Sequence, residues 1–266
     1  MIQLAIEAAL AAGKFLKQSV GNIKTVETKF GQETNLVTEI DKKSEELIIG
    51  MIRKQYPDHD FLAEESGSHD RRSEYRWIID PLDGTLNFTH AVPLFSVSIA
   101  VEHRGEIIAG VVHEPNLGEL FTAEKGKGAF LNQKPIRVSR VNRLIESMIV
   151  TGFPYTIRDN PDNAVQHFVN MLMQAQGIRR LGSAAVDLAY VACGRFDGFW
   201  EVSLSPWDMA AGVLLVQEAG GRFTDFKGSA SSVYGKQVVA SNGLIHNMLV
   251  DILGRGLSPE AATSRS

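Results

Sequence analysis

Apolar residues recur along this chain in two rhythms, and the change of rhythm predicts its organisation. Leu4, Ala8, Ala11, Ala12, Phe15 and Leu16 fall at helical spacing, so the first segment reads as an amphipathic helix ended near Gly21. A strand is expected over 23–29. A second helix opens at Thr38, a good N-cap, holds Asp41 in its first turn, and carries Leu47, Ile48, Met51 and Ile52 to the Tyr56-Pro57 stop. Short buried strands are expected at 61–64 and 75–80, each ending in acids. From Phe95 the spacing becomes that of strands: 96–101 and 107–112 form a hairpin about Arg104-Gly105, and 118–123 and 129–131 continue the meander. Beyond Glu146, strands at 148–151, 178–181, 198–202 and 237–240 alternate with helices at 163–174, 184–193, 207–219 and 244–253. That alternation predicts an α/β layer.

Composition narrows the class. The chain has 266 residues, 44% of them hydrophobic, and a formal charge of −4. It is long and apolar enough to bury a large core, which excludes disorder as its main state. The single cysteine, Cys193, excludes a disulfide framework and a multi-cysteine metal site, and fits a cytoplasmic location. Residues 1–16 carry Glu7 and lack a basic leader, so they read as a mature helix and not a signal peptide. No run reaches the ~18 apolar residues of a membrane span, and the acidic balance disfavours general nucleic-acid binding. No linker or repeat divides the sequence. It is expected to form one unit over 1–266, with subdomains at 1–145 and 146–256 and a polar tail at 257–266.

The chemistry concentrates where acids close apolar strands. Trp77-Ile78-Ile79 runs into Asp80-Pro81-Leu82-Asp83-Gly84-Thr85, where Pro81 is expected to stop the ladder and Asp83-Gly84-Thr85 to turn the chain into a helix. Taken alone, these are also ordinary turn and cap residues. Glu64-Glu65-Ser66 ends another short strand, and Asp208 follows Pro206 at the opening of an apolar helix. If Glu64, Asp80, Asp83 and Asp208 converge, something positive is required. Two such charges ~4 Å apart repel by about 4 kcal/mol at an effective dielectric near 20. Oxygen-only donors select a hard divalent ion such as Mg²⁺, whose usual companion is a substrate phosphate. These four acids sum to the chain's formal −4, which two divalent ions would offset.

Together, Asp80-Pro81-Leu82-Asp83-Gly84-Thr85-Leu86-Asn87-Phe88, Glu64-Glu65-Ser66 and Pro206-Trp207-Asp208-Met209-Ala210-Ala211-Gly212 resemble the inositol monophosphatase family. Leu36-Val37-Thr38 with Asp41, and Lys125-Gly126-Lys127-Gly128-Ala129-Phe130, extend the likeness over nearly the whole chain. The resemblance implies a layered αβαβα sandwich of the fructose bisphosphatase type, Mg²⁺-dependent phosphomonoester hydrolysis, lithium inhibition and a homodimer. It assigns two to three Mg²⁺ ions per subunit to Glu64, Asp80, the Leu82 carbonyl, Asp83 and Asp208. It gives the phosphate to the amides of Gly84 and Thr85 at a helix start, a natural anion site. Thr85, paired with Asp41, and Glu64 would orient and deprotonate the attacking water. Gly182, Ser183, Ala184 and Glu201 would read the leaving alcohol, with Asp83 and Asp208 also facing the substrate. Lys29 and the loop 30–35 correspond to a region beside the metals, although the spacing from Lys29 to Asp41 differs from the familiar animal enzymes.

Several features read as structural. The seven histidines show no metal-ligand spacing, Cys193 in an apolar helix is an inert small hydrophobe, Gly126 and Gly128 mark a β-turn, and Gly182-Ser183 is also a helix start with a serine cap. Lys134, Arg137, Arg140 and Arg143 read as a solvated edge, although bacterial members of the resembled family bind transcription machinery. A phosphatase using a covalent aspartyl phosphate would need its second acid two residues on, not three. Asn87, where phosphoadenosine phosphatases carry an acid, favours inositol monophosphate as substrate. Fructose 1,6-bisphosphate and histidinol phosphate are the alternatives.

Overall fold

A computed structural model describes residues 1–22, 26–28 and 36–255. The chain runs α1 (Ile2–Ser19), β1 (Val26–Thr28), β2 (Leu36–Thr38), α2 (Glu39–Gln55), β3 (Asp60–Ala63), β4 (Gly67–His69), β5 (Tyr75–Asp83), α3 (Thr85–Thr89), β6 (Ser96–His103), β7 (Glu106–Glu114), β8 (Glu119–Glu124), β9 (Gly128–Leu131) and β10 (Lys134–Pro135). It continues with β11 (Met148–Thr151), α4 (Ala164–Leu172), β12 (Gly177–Arg179), α5 (Ala184–Ala192), β13 (Gly198–Val202), α6 (Pro206–Glu218), β14 (Arg222–Thr224), β15 (Gln237–Ser241) and α7 (His246–Gly254). The expected helices and the principal strands are present. Strand β14, which the sequence reading left out, adds an edge. Lys29, the loop 30–35 and the polar tail lie outside the described residues.

An eight-stranded sheet, ordered β10-β9-β8-β7-β6-β5-β3-β4, is antiparallel except where β3 runs parallel to β5. A five-stranded sheet is ordered β12-β11-β13-β15-β14. Its β11, β12 and β13 are parallel, as alternating strands and helices predict, but β15 runs antiparallel to both its neighbours. Helices α1 and α2 pack together on one face of the large sheet; α5 and α6 form a middle layer, and α4 and α7 close the outer face of the small sheet. The order is αβαβα.

Both faces of the large sheet are buried, which explains why its central strands are continuously apolar. In β5, Trp77 and Ile79 join the core under α1 and α2, while Ile78 joins the core of the middle layer. A third core joins Ile149, Trp200 and Val239 of the small sheet to Leu249 and Ile252 of α7. The β-turn at 125–128 is pinned by α6: Glu218 accepts from the Gly126 and Gly128 amides, each at 2.8 Å.

Candidate active site

The site begins with an irregularity in β5. Asp80 pairs opposite Ser98 and Asp83 opposite Ser96, so two residues of β5, Pro81 and Leu82, oppose the single Val97. In a regular strand, side chains three apart point to opposite faces. The extra residue resets the alternation, as β-bulges do beside functional sites, and both carboxylates line one cleft. The expectation that Pro81 ends the ladder is thus corrected. Pro81 sits inside the bulge, where no ladder donor is demanded. The neighbouring amide of Leu82 donates to Asp80 Oδ1 at 3.0 Å, and Ser44 of α2 donates to the Pro81 carbonyl at 2.9 Å.

The cleft has a volume of about 630 Å³ and takes its walls from both sheets and the helices between them. Glu64, immediately after β3, and Asp208, in the first turn of α6, join Asp80 and Asp83 on it. The backbone just after Glu64 is pinned by α2, whose Glu45 accepts from the amides of Glu65 at 2.8 Å and Ser66 at 2.9 Å. Asp208 Oδ2 accepts from the Ser205 amide at 2.7 Å, so the helix-cap reading and the site reading of this acid are both true.

Ser183 departs from expectation. It occupies the N-cap position of α5, but its hydroxyl donates to Asp83 Oδ2 at 2.5 Å and not to the helix. The same oxygen accepts from the Ala185 amide at 2.8 Å. Asp83, from the other sheet, therefore caps α5 and ties the two halves of the cleft together.

Burial is the largest influence on every carboxyl that titrates abnormally here. It pushes Asp80 and Asp208 well above the usual carboxylate range, and Asp83 up to about 6. Glu64, Asp83 and Asp208 add to the rise at Asp80, each a like charge. Among the described residues, no three His, Cys, Asp or Glu side chains are gathered into a ready-made metal cluster. The structure shows a shared cleft and mutual repulsion. The oxygen-only donor set, buried and like-charged, fits a hard divalent cation.

Thr85 also lines the cleft, and its hydroxyl lies 3.0 Å from Asp41 Oδ1 and 3.2 Å from the Leu82 carbonyl. Asp41 is fully buried behind it. Its other oxygen accepts from the amide of Thr38 at 2.8 Å and from the Thr38 hydroxyl at 2.6 Å, completing the predicted cap of α2. Asp41 thus reaches the cleft through Thr85. Gly84, between Asp83 and Thr85, adopts φ +97°, and a side chain there would press on the Gly182 carbonyl.

The wall that α5 and β13 contribute carries Gly182, Ser183, Ala184 and Glu201, all four predicted, together with Arg180 and Lys236. Glu201 is buried, contrary to the default for an acid at a strand end, and burial pushes it up to about 8 against the pull of Arg180. Its carboxylate lies over Gly152, where a Cβ would collide with both oxygens. Three parts of this wall were missed from sequence. They are the segment Gly152-Phe153-Pro154, Lys236, and Asp187 within α5. The glycine and proline closing β11, and a lone acid in an apolar helix, were the available signals.

The profile of the inositol monophosphatase family matches residues 1–256. The chain belongs to that family. The inositol-1-monophosphatase of Mesorhizobium japonicum is 41% identical, the match covering 97% of each protein. The Nus factor SuhB of Pseudomonas aeruginosa is 42% identical, again over 97% of each. The crystal structure of the extragenic suppressor protein suhB from Bartonella henselae superposes with a TM-score of 0.90 at 42% identity, covering 96% of this chain and 98% of that one. The protein is therefore a phosphatase, with the layered fold expected of it. Among the described residues, no helix of this phosphatase is long and apolar enough to cross a membrane.

Proposed function

We propose that this phosphatase is a Mg²⁺-dependent hydrolase of polyol monophosphates, with myo-inositol 1-phosphate as its substrate. One observation carries the reading: a single cleft is lined by the four carboxylates, by Thr85, and by the polar groups of Gly182, Ser183, Arg180 and Glu201. Glu64, Asp80, the Leu82 carbonyl, Asp83 and Asp208 would hold two to three ions. Bound there, Mg²⁺ would offset the charge of the phosphate and favour ionisation of water.

The chain's own groups supply the rest. The amides of Gly84 and Thr85 donate to phosphate oxygens. Thr85, donating a hydrogen bond to Asp41, turns a lone pair toward the attacking water, and Glu64 accepts that water's proton. Attack in line with the leaving oxygen then needs no phosphorylated enzyme. Gly182, Ser183 and Ala184 position the alcohol, and Glu201 hydrogen-bonds its hydroxyls. Lithium inhibition and a homodimer belong to the same proposal.

The test is phosphate release from inositol 1-phosphate, histidinol phosphate, fructose 1,6-bisphosphate and phosphoadenosine phosphate, with Mg²⁺ and with EDTA. The expected result is the highest kcat/KM on inositol 1-phosphate, lost in EDTA and restored by Mg²⁺. Full activity in EDTA would overturn the metal requirement, and preference for another ester would overturn the substrate. A second role in transcription is favoured by the SuhB-named relative and by the exposure of Lys134, Arg137, Arg140 and Arg143. Co-purification of RNA polymerase with both the wild type and Asp83→Asn tests it.

A further inference from the structure

Asp187 is the single charged residue in α5, a helix whose nine residues are all buried in the middle layer. It is 1% exposed, yet it lies on the wall of the cleft. Its amide donates to the Ser183 carbonyl at 3.0 Å, which sets it one helical turn beyond Ser183 and on the same side of the helix. Its Oδ1 is buried without a hydrogen-bond partner among the described residues. An unpaired buried carboxyl is costly, and such groups persist where a ligand completes them.

From this placement we infer that Asp187 is a binding residue for a hydroxyl of the substrate's alcohol, acting beside Glu201. The inference rests on the polyol reading above. Two carboxyls lining one cleft offer several oxygens, which suits a ring bearing several hydroxyls and not a flat or apolar leaving group. Arg180, on the same wall, supplies positive charge near both acids. A neutral alcohol therefore fits this end better than an amine does.

The experiment compares the wild type, Asp187→Asn and Asp187→Leu on inositol 1-phosphate, histidinol phosphate and p-nitrophenyl phosphate, whose leaving group has no aliphatic hydroxyl. Thermal unfolding is followed alongside. Asp187→Leu should raise KM for inositol 1-phosphate about tenfold, the worth of one buried hydrogen bond, with little change in kcat. Turnover of p-nitrophenyl phosphate should stay within about twofold, with Asp187→Asn intermediate on the polyol. The leucine variant should also melt at a higher temperature, because an unsatisfied buried carboxyl has been replaced by an apolar group of similar shape. A carboxyl with a merely structural role would lower it.

Equal losses on inositol 1-phosphate and p-nitrophenyl phosphate, an unchanged KM for inositol 1-phosphate, or a loss confined to histidinol phosphate would each overturn the inference while leaving the polyol phosphatase standing. A wild type that cleaves p-nitrophenyl phosphate but no polyol ester would overturn both.

Discussion

Replacing Glu201 by glutamine should flatten the pH dependence of stability, by an amount the structure sets. The side chain is 6% exposed, so solvent screening does little to soften the penalty, and burial raises its carboxyl from 4.5 to about 8. In the folded protein it keeps a proton that the unfolded chain has already released. Stability therefore falls as pH rises, beginning near the unfolded value and ending near the folded one. A tenfold difference in proton affinity between the two states is worth about 1.4 kcal/mol. Between pH 5 and pH 8 this group alone should remove roughly 3 kcal/mol from the wild type. Glutamine keeps the shape and cannot ionise. Urea denaturation of both proteins in EDTA at several pH values measures the effect, with the other buried acids present in both. The Glu201→Gln advantage should grow by roughly 3 kcal/mol across that window. Parallel stability profiles would refute the reasoning, showing that Glu201 is ionised at little cost when folded.

Other consequences follow from the same contacts. Thr85→Val removes the hydroxyl shared by Asp41 and the Leu82 carbonyl, and should lower kcat about a hundredfold with KM changed less than threefold. Thr85→Ser should retain most activity in the same steady-state assay. Asp83→Asn keeps an oxygen able to accept from Ser183 and Ala185, so phosphate release should fall at least ~100-fold while the melting temperature changes little. Asp83→Ala should additionally cost about 1–2 kcal/mol in a denaturation experiment, as the cap of α5 is lost. Gly152→Ala should destabilise by about 1–3 kcal/mol in urea, because its new methyl meets the Glu201 carboxylate.

How far the sequence reached can be judged at particular residues. The capped start of α2 was legible because Thr38 and Asp41 are three residues apart and meet through local backbone geometry. The motif around Asp80 and Asp83 was legible as chemistry, but its shape was not. A turn and a β-bulge both accommodate Pro81, and only pairing with Ser96 and Ser98 of β6 decides between them. Ser183 was legible as a helix start, while the destination of its hydroxyl depended on an aspartate 100 residues away.

The sequence alone determined the order of the elements and the identity of the acids. Apolar periodicity is a local property of the chain, and a set of motifs this widely spread carries its own specificity. Tertiary structure decided what those acids experience. Desolvation lifts Asp83 and Glu201, Asp41 reaches the cleft through Thr85, and Asp187 keeps a buried oxygen without a hydrogen-bond partner among the described residues. Each of these depends on groups distant in sequence coming together to exclude water, and no window of residues records that.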